Sequence, residues 1–242
     1  MKTRFVRNIE LGVGALLMGC CLSVSAVPVT IYDNSVNDLL KRFNPGTAEV
    51  GDEILLAGSA RQLTYFSFEY YGLATRSTFA GNVQAEVRFY VNNGALFNGY
   101  PQPNGSSFYD SGLFSVPAPT DRSTFVFNAG PDFPLAGLSI PANDITWSVQ
   151  FTGMGAGDEV GVDLYSPPVV GSDYPDYWEK NAGPGWTLKQ QPSGVPSDFA
   201  ALMRAESVPD ATGFEIVVIS TLGLLLFGAL GQNKARLAFK KA

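Results

Sequence analysis

Apolar and polar residues alternate along most of this chain, and the period is that of a strand. In NVQAEVRFYVNNG (82–94), Val83, Ala85, Val87, Phe89 and Val91 take one face and Gln84, Glu86 and Arg88 the other, with Asn93-Gly94 following as a turn signal. Comparable runs are EILLAG from Glu53, LTYFSFEYYG from Leu63, STFVFNAG from Ser123, DITWSVQFTG from Asp144 and EVGVDLYSPP from Glu159. Each is bounded by Gly, Pro, Asn or Asp, the residues that turns between antiparallel strands require. One stretch differs: SVNDLLKRF (35–43), after Asn34, predicts a short helix. No fixed-period repeat and no GxGxxG or P-loop spacing interrupts the pattern. The expectation is an all-β fold over 27–207, a single antiparallel β-sandwich of jelly-roll type with roughly eight to ten strands.

Both ends depart from the alternation. Lys2, Arg4 and Arg7 precede an apolar stretch from Leu11 to Val24, and Ser23-Val24-Ser25-Ala26 supplies the small residues at which a signal peptidase cuts. Residues 1–26 are therefore expected to be a signal peptide, removed after Ala26. A retained anchor is the alternative, but the stretch is shorter than the ~20 residues a bilayer requires. Leu17-Met18-Gly19-Cys20 has some likeness to a lipobox, and the site at Ala26 fits better.

At the other end, sixteen residues from Ile216 to Gly231 carry no charge. As a helix they span about 24 Å, which makes a transmembrane helix over about 214–231 the expectation. Lys234, Arg236, Lys240 and Lys241 lie in the basic tail 232–242, and the positive-inside tendency keeps that end cytoplasmic. A buried core helix would show a polar face, which this segment lacks. The chain is thus expected to cross the membrane once and leave its body outside the cytoplasm.

Composition removes whole classes of chemistry. The chain has no histidine, and its two cysteines, Cys20 and Cys21, fall in the expected signal peptide. Zinc sites built on Cys or His, cysteine nucleophiles and Ser-His-Asp triads each lack a member. Between 27 and 207 there are nine Lys plus Arg against nineteen Asp plus Glu, ten net negative charges. Such a body repels nucleic acid and tolerates cations.

Two stretches carry candidate chemistry. GSDYPDYWEKNAGPGW (171–186) sets Tyr174, Tyr177, Trp178 and Trp186 among Asp173, Asp176 and Glu179, a mixture suited to stacking on a sugar ring and bonding its hydroxyls. The alternative is that these aromatics plug the end of the sandwich. GAGDEVGVDLY offers Asp158, Glu159 and Asp163 as oxygen ligands for calcium. Their spacing lacks the regularity of an EF-hand loop, so solvated turn carboxylates are the alternative. Paired carboxylates of a glycosidase type arise by chance among nineteen acids, and no motif singles out a reaction, so a non-enzymatic protein is expected.

Val208-Pro209-Asp210, followed by one hydrophobic segment and a basic terminus, resembles the C-terminal sorting signal of the PEP-CTERM class in its Val-Pro-Asp variant. The likeness covers 208–242. After Asp210 the chain continues Ala211-Thr212-Gly213, where the variant more often continues at once with Ser or Gly, and Glu215 stands at the helix entrance. The resemblance implies an exported precursor, recognised and cleaved near the motif by an exosortase-type membrane protease. It also implies a bacterium that makes extracellular polysaccharide, and a destination in the cell envelope, outer surface or matrix. Pro209 suits such a motif physically: it fixes its own φ, biases Val208 away from helix and has no N–H to donate to a strand ladder. Cleavage after Ala26 predicts Val27 as the mature N-terminus. N-terminal sequencing of the exported protein checks this, and a chain still beginning at Met1 would contradict it.

Overall fold

The computed structural model describes residues 27–183 and 185–207. The signal peptide expected over 1–26 and the sorting signal expected over 208–242 lie outside the described residues. Every helix or strand described is a strand. In chain order they are β1 (Val29–Asn34), β2 (Asp38–Phe43), β3 (Val50–Leu55), β4 (Gln62–Leu73), β5 (Gln84–Val91), β6 (Leu96–Phe97), β7 (Tyr100–Pro101), β8 (Tyr109–Asp110) and β9 (Phe114–Ser115). Then come β10 (Thr120–Asn128), β11 (Leu138–Ser139), β12 (Asp144–Thr152), β13 (Glu159–Tyr165), β14 (Ser172–Asp173), β15 (Tyr177–Lys180), β16 (Trp186–Lys189) and β17 (Ala201–Glu206). Strand pairs are antiparallel throughout.

One sheet runs β1-β17-β4-β13-β2, with β10 and β11 also pairing to β4. The twelve-residue β4 is long enough to hold β17 and β13 end to end along one edge, and β10 and β11 along the other. The second sheet runs β16-β15-β3-β12-β5-β8, with β14 beside β3 and β9 beside β5. The pair β6-β7 forms a separate hairpin. Its tip is Asn98-Gly99, with φ of 52° and 94°, the positive values a two-residue turn of this kind demands. The turn expected at Asn93-Gly94 is therefore only the exit from β5, and the tight reversal comes at Asn98-Gly99.

The two sheets share one core. Phe66 of β4 lies 5.3 Å from Trp147 of β12 and 5.1 Å from Phe89 of β5, both in edge-on geometry. Val83, Ala85, Val87 and Phe89 all point inward, as their alternation predicts. Eleven strands have four or more residues, against the eight to ten expected, and six short ones have two.

The expected helix over 35–43 is absent; Asp38–Phe43 is strand β2. Val36, Leu39, Leu40 and Phe43 do have helical spacing, but β13 offers a row of unpaired backbone groups that β2 satisfies. A break in register beside Leu40, whose φ is 53°, lets Leu39 and Phe43 both reach the core while Leu40 stays exposed. Gly161 makes the close approach feasible, since a Cβ there would meet the Phe43 carbonyl oxygen at 2.1 Å. Replacing Phe66 by alanine removes the ring that joins the sheets and should cost about 3–5 kcal/mol. Thermal denaturation checks this, and a loss below about 0.5 kcal/mol would contradict the placement.

Candidate functional site

The outer face of the second sheet carries the most developed polar site. Alternation turns Glu49, Gly51 and Glu53 outward on one strand, Arg88 and Tyr90 on β5, Ser148 and Gln150 on β12, and Trp178 and Lys180 on β15. Glu49 is 5% exposed and its carboxylate is fully engaged. Oε1 accepts from the Tyr90 hydroxyl at 2.7 Å and from Ser148 Oγ at 2.8 Å. Oε2 accepts from Arg88 Nη1 and from Lys180 Nζ, each at 2.9 Å. A buried carboxylate is stable only when hydrogen-bonded and paired, and here four donors meet that demand. Burial and then the Glu49 charge raise the pKa of Tyr90, so its phenol stays a donor. Burial acts to lower the pKa of Arg88, but its bond to Asp110 and the charges of Glu49 and Glu86 outweigh this and raise it.

Tyr90, Trp178 and Trp186 form a small apolar cluster beneath this network, with Phe97 of the β6-β7 hairpin and Leu188 packed on it. Gly51 is the register partner of Trp178, and a Cβ there would meet Thr146 Cγ2 at 2.4 Å. The bare backbone leaves room for the Thr146 and Ser148 side chains of β12, and the Trp178 indole Nε1 donates to Glu53 Oε2 at 2.7 Å. Lys180 Nζ sits 5.4 Å from the Trp186 ring and 5.2 Å from Tyr90, within cation–π range. The loop 105–107 faces the sheet, and between them lies a groove of about 770 Å³ lined by both.

The aromatics expected to stack on a sugar are mostly interior. Trp178 and Trp186 are 0% and 2% exposed, Tyr177 is buried too, and Tyr174 alone is half-exposed. Strand alternation also separates neighbours, for Tyr177 points into the main core, 4.7 Å from Phe43, while Trp178 points out. These rings therefore do not form one exposed stacking face. The expected calcium ligands also fail to converge. Asp158 accepts from the backbone N–H groups of Ala80, Gly81 and Gly155, Glu159 accepts from the Tyr71 hydroxyl, and Asp163 is buried 3.6 Å from Arg42 and from Arg122. Slight desolvation pushes the pKa of Asp158 up, but its three N–H donors outweigh that and lower it. Among the described residues, no three Asp or Glu side chains are grouped as a metal would need.

Asp52 and Asp198, which sequence patterning passed over, form a second cluster with Asp173 and Asp176. Asp52 lies on the inner face between Val50 and Ile54, 0% exposed, with Oδ2 accepting the Phe199 N–H at 2.9 Å and Oδ1 unpartnered among the described residues. Asp198 Oδ1 is likewise buried and unpartnered, and Tyr32 donates to Asp173 Oδ2 at 3.0 Å. The charges acting on Asp52 are those of Asp173, Asp198 and Asp176, all negative. Burial first, then this mutual repulsion, drives the pKa of Asp52 well above the carboxylate range and that of Asp198 to about 7, and burial takes Asp173 to about 6. Glu53 is raised mainly by burial to about 7, with the neighbouring Asp144 and Asp176 charges adding to the rise. The available signal was the phase of Asp52, an acid where the alternation calls for an apolar residue.

No protein family, curated protein or solved structure matches the chain.

Raised folded-state pKa values give a definite sign to pH dependence. The folded form holds protons that the unfolded chain releases near pH 4, so the stabilisation is complete below that pH and is lost as pH rises through 6 to 7. The melting temperature should therefore fall by several degrees between pH 5 and pH 8, and Asp198→Asn should flatten the decline. Melting curves across that range check this, and a rise in stability with pH would contradict it.

Proposed function

We propose that the chain is an exported, non-enzymatic protein of the cell surface or extracellular matrix, with a jelly-roll-like sandwich as its mature body and 208–242 as its sorting signal. Signal peptidase and an exosortase-type membrane protease are its processing partners. One observation supports this reading above the others: both ends of the body leave at one corner. Val29 of β1 is the register partner of Ala205 of β17, so the chain emerging from a signal-peptide cut and the chain leading to Val208 are neighbours. A body joined to a membrane through one corner is left free elsewhere.

The groove lies toward the opposite end. Leu56 donates to the Asn143 carbonyl and Ala57 to that of Ile31, which puts the C-terminal end of β3 beside the corner where the chain exits. Glu49 and Gln150, which line the groove, lie at the other end of β3 and β12. With the tail in lipid, that geometry turns the groove away from the membrane. The second reading, a carbohydrate-binding surface module, draws its support from this groove rather than from the ring set Tyr174, Tyr177, Trp178 and Trp186.

Changing Val208, Pro209 and Asp210 together to alanine should abolish C-terminal trimming in a host that has the sorting enzyme, leaving the anchored precursor to accumulate. Immunoblots of membrane and secreted fractions read this directly. Trimming at the normal rate in the triple variant would overturn the sorting assignment.

A further inference from the structure

We infer that the groove over Glu49 binds an internal segment of a neutral polysaccharide. The inference rests on the surface or matrix reading, which brings such polymers within reach. Its volume of about 770 Å³ falls in the range of small-ligand sites, and it is open to solvent rather than enclosed. A polymer can therefore lie along it without threading an end.

Charge selects against acidic polymers. Arg88 donates to Glu49 and Asp110 and pairs with Glu86, while Lys180 donates to Glu49 and to the Tyr90 hydroxyl. These five charged groups sum to one negative charge, so neither cation is left for an incoming carboxylate or sulfate. The acidic surroundings, ten net negative charges between 27 and 207, oppose such a ligand further.

Beside Glu49, Arg88 and Lys180, which engage one another, the rest of the lining is uncharged and mixed in polarity. Gln150 Nε2 donates to the Thr47 carbonyl at 3.0 Å, which leaves the amide oxygen as an acceptor. Asn181 Oδ1 accepts from Thr187 Oγ1 at 2.8 Å, which leaves the amino group as a donor. Ser106 and Ser107 supply hydroxyls from the facing loop. Vicinal sugar hydroxyls each donate once and accept up to twice, so alternating donors and acceptors of this kind match them, whereas an apolar ligand would leave them unpaired. Gln150 on β12 and Asn181 just beyond β15 flank a floor already locked by the Glu49 network, so little order must be imposed on binding. Tyr90 lines the groove, while the buried rings of Trp178 and Trp186 support that floor from outside the lining.

The purified full chain in detergent, tested by affinity electrophoresis against a neutral glucan, a neutral mannan and a polyuronate, decides the matter. At least one neutral polymer should retard it and the polyuronate should not. Gln150→Ala with Asn181→Ala should weaken retardation about tenfold or more, through loss of two ligand hydrogen bonds, while Tyr174→Ala leaves it unchanged. Ser106→Ala with Ser107→Ala probes the facing wall independently, so a folding defect in one pair does not hide the answer. The proposal falls if no neutral polymer binds, if the polyuronate binds more tightly, or if both pairs of variants bind like the parent. C-terminal trimming is untouched by these changes, so failure here and failure of the sorting reading are told apart.

Discussion

Phe66 against Trp147 is the contact on which the rest of the body depends. Neither cysteine lies between 27 and 207, so no disulfide ties the sheets together there, and apolar burial is the main force between them, with a few hydrogen bonds such as Tyr32 to Asp173 beside it. Phe66 sits on β4, the strand that collects four partners, and Trp147 on β12, the strand between β3 and β5. Fixing those two strands face to face therefore fixes the register of nearly everything else, including the outward positions from which the groove is built.

The same sheet buries carboxylates in two opposite ways only three residues apart. Glu49 faces outward, where two cations and two hydroxyls satisfy its carboxylate. Asp52 faces inward and meets one backbone N–H and other acids, so it is held by a proton. The first arrangement costs little in specificity, since each donor is placed by a strand. The second makes the interior responsive to pH, and Glu53 on the outer face, raised by burial to about 7, responds in the same sense.

Much of the fold was legible because a half-buried strand announces itself by alternation. The runs at 82–94 and 144–153 show it plainly, with Phe89 and Trp147 inward and Arg88 and Ser148 outward. Strand β2 was hidden because Leu39 and Phe43 reach the core across an irregular register that no simple period describes. The aromatics at 174–186 were legible as a group, but not which side each would take. Tyr177 and Trp178 are adjacent in sequence and separated by a sheet, and Trp178 is covered by Phe97 of a hairpin eighty residues earlier. Glu49 was illegible for the same reason: its four donors come from β5, β12 and β15, and no local pattern joins them.

The strand order β1-β17-β4 has a kinetic meaning. The last strand occupies an interior slot, between the first strand and the long central one, so the sheet stays open until residue 206 is available. A chain emerging N-terminus first, from a ribosome or through a pore, thus has β1 waiting without its neighbour for some 170 residues. Contacts so distant in sequence are slow to form, and the delay keeps the polypeptide pliable until its final segment has arrived.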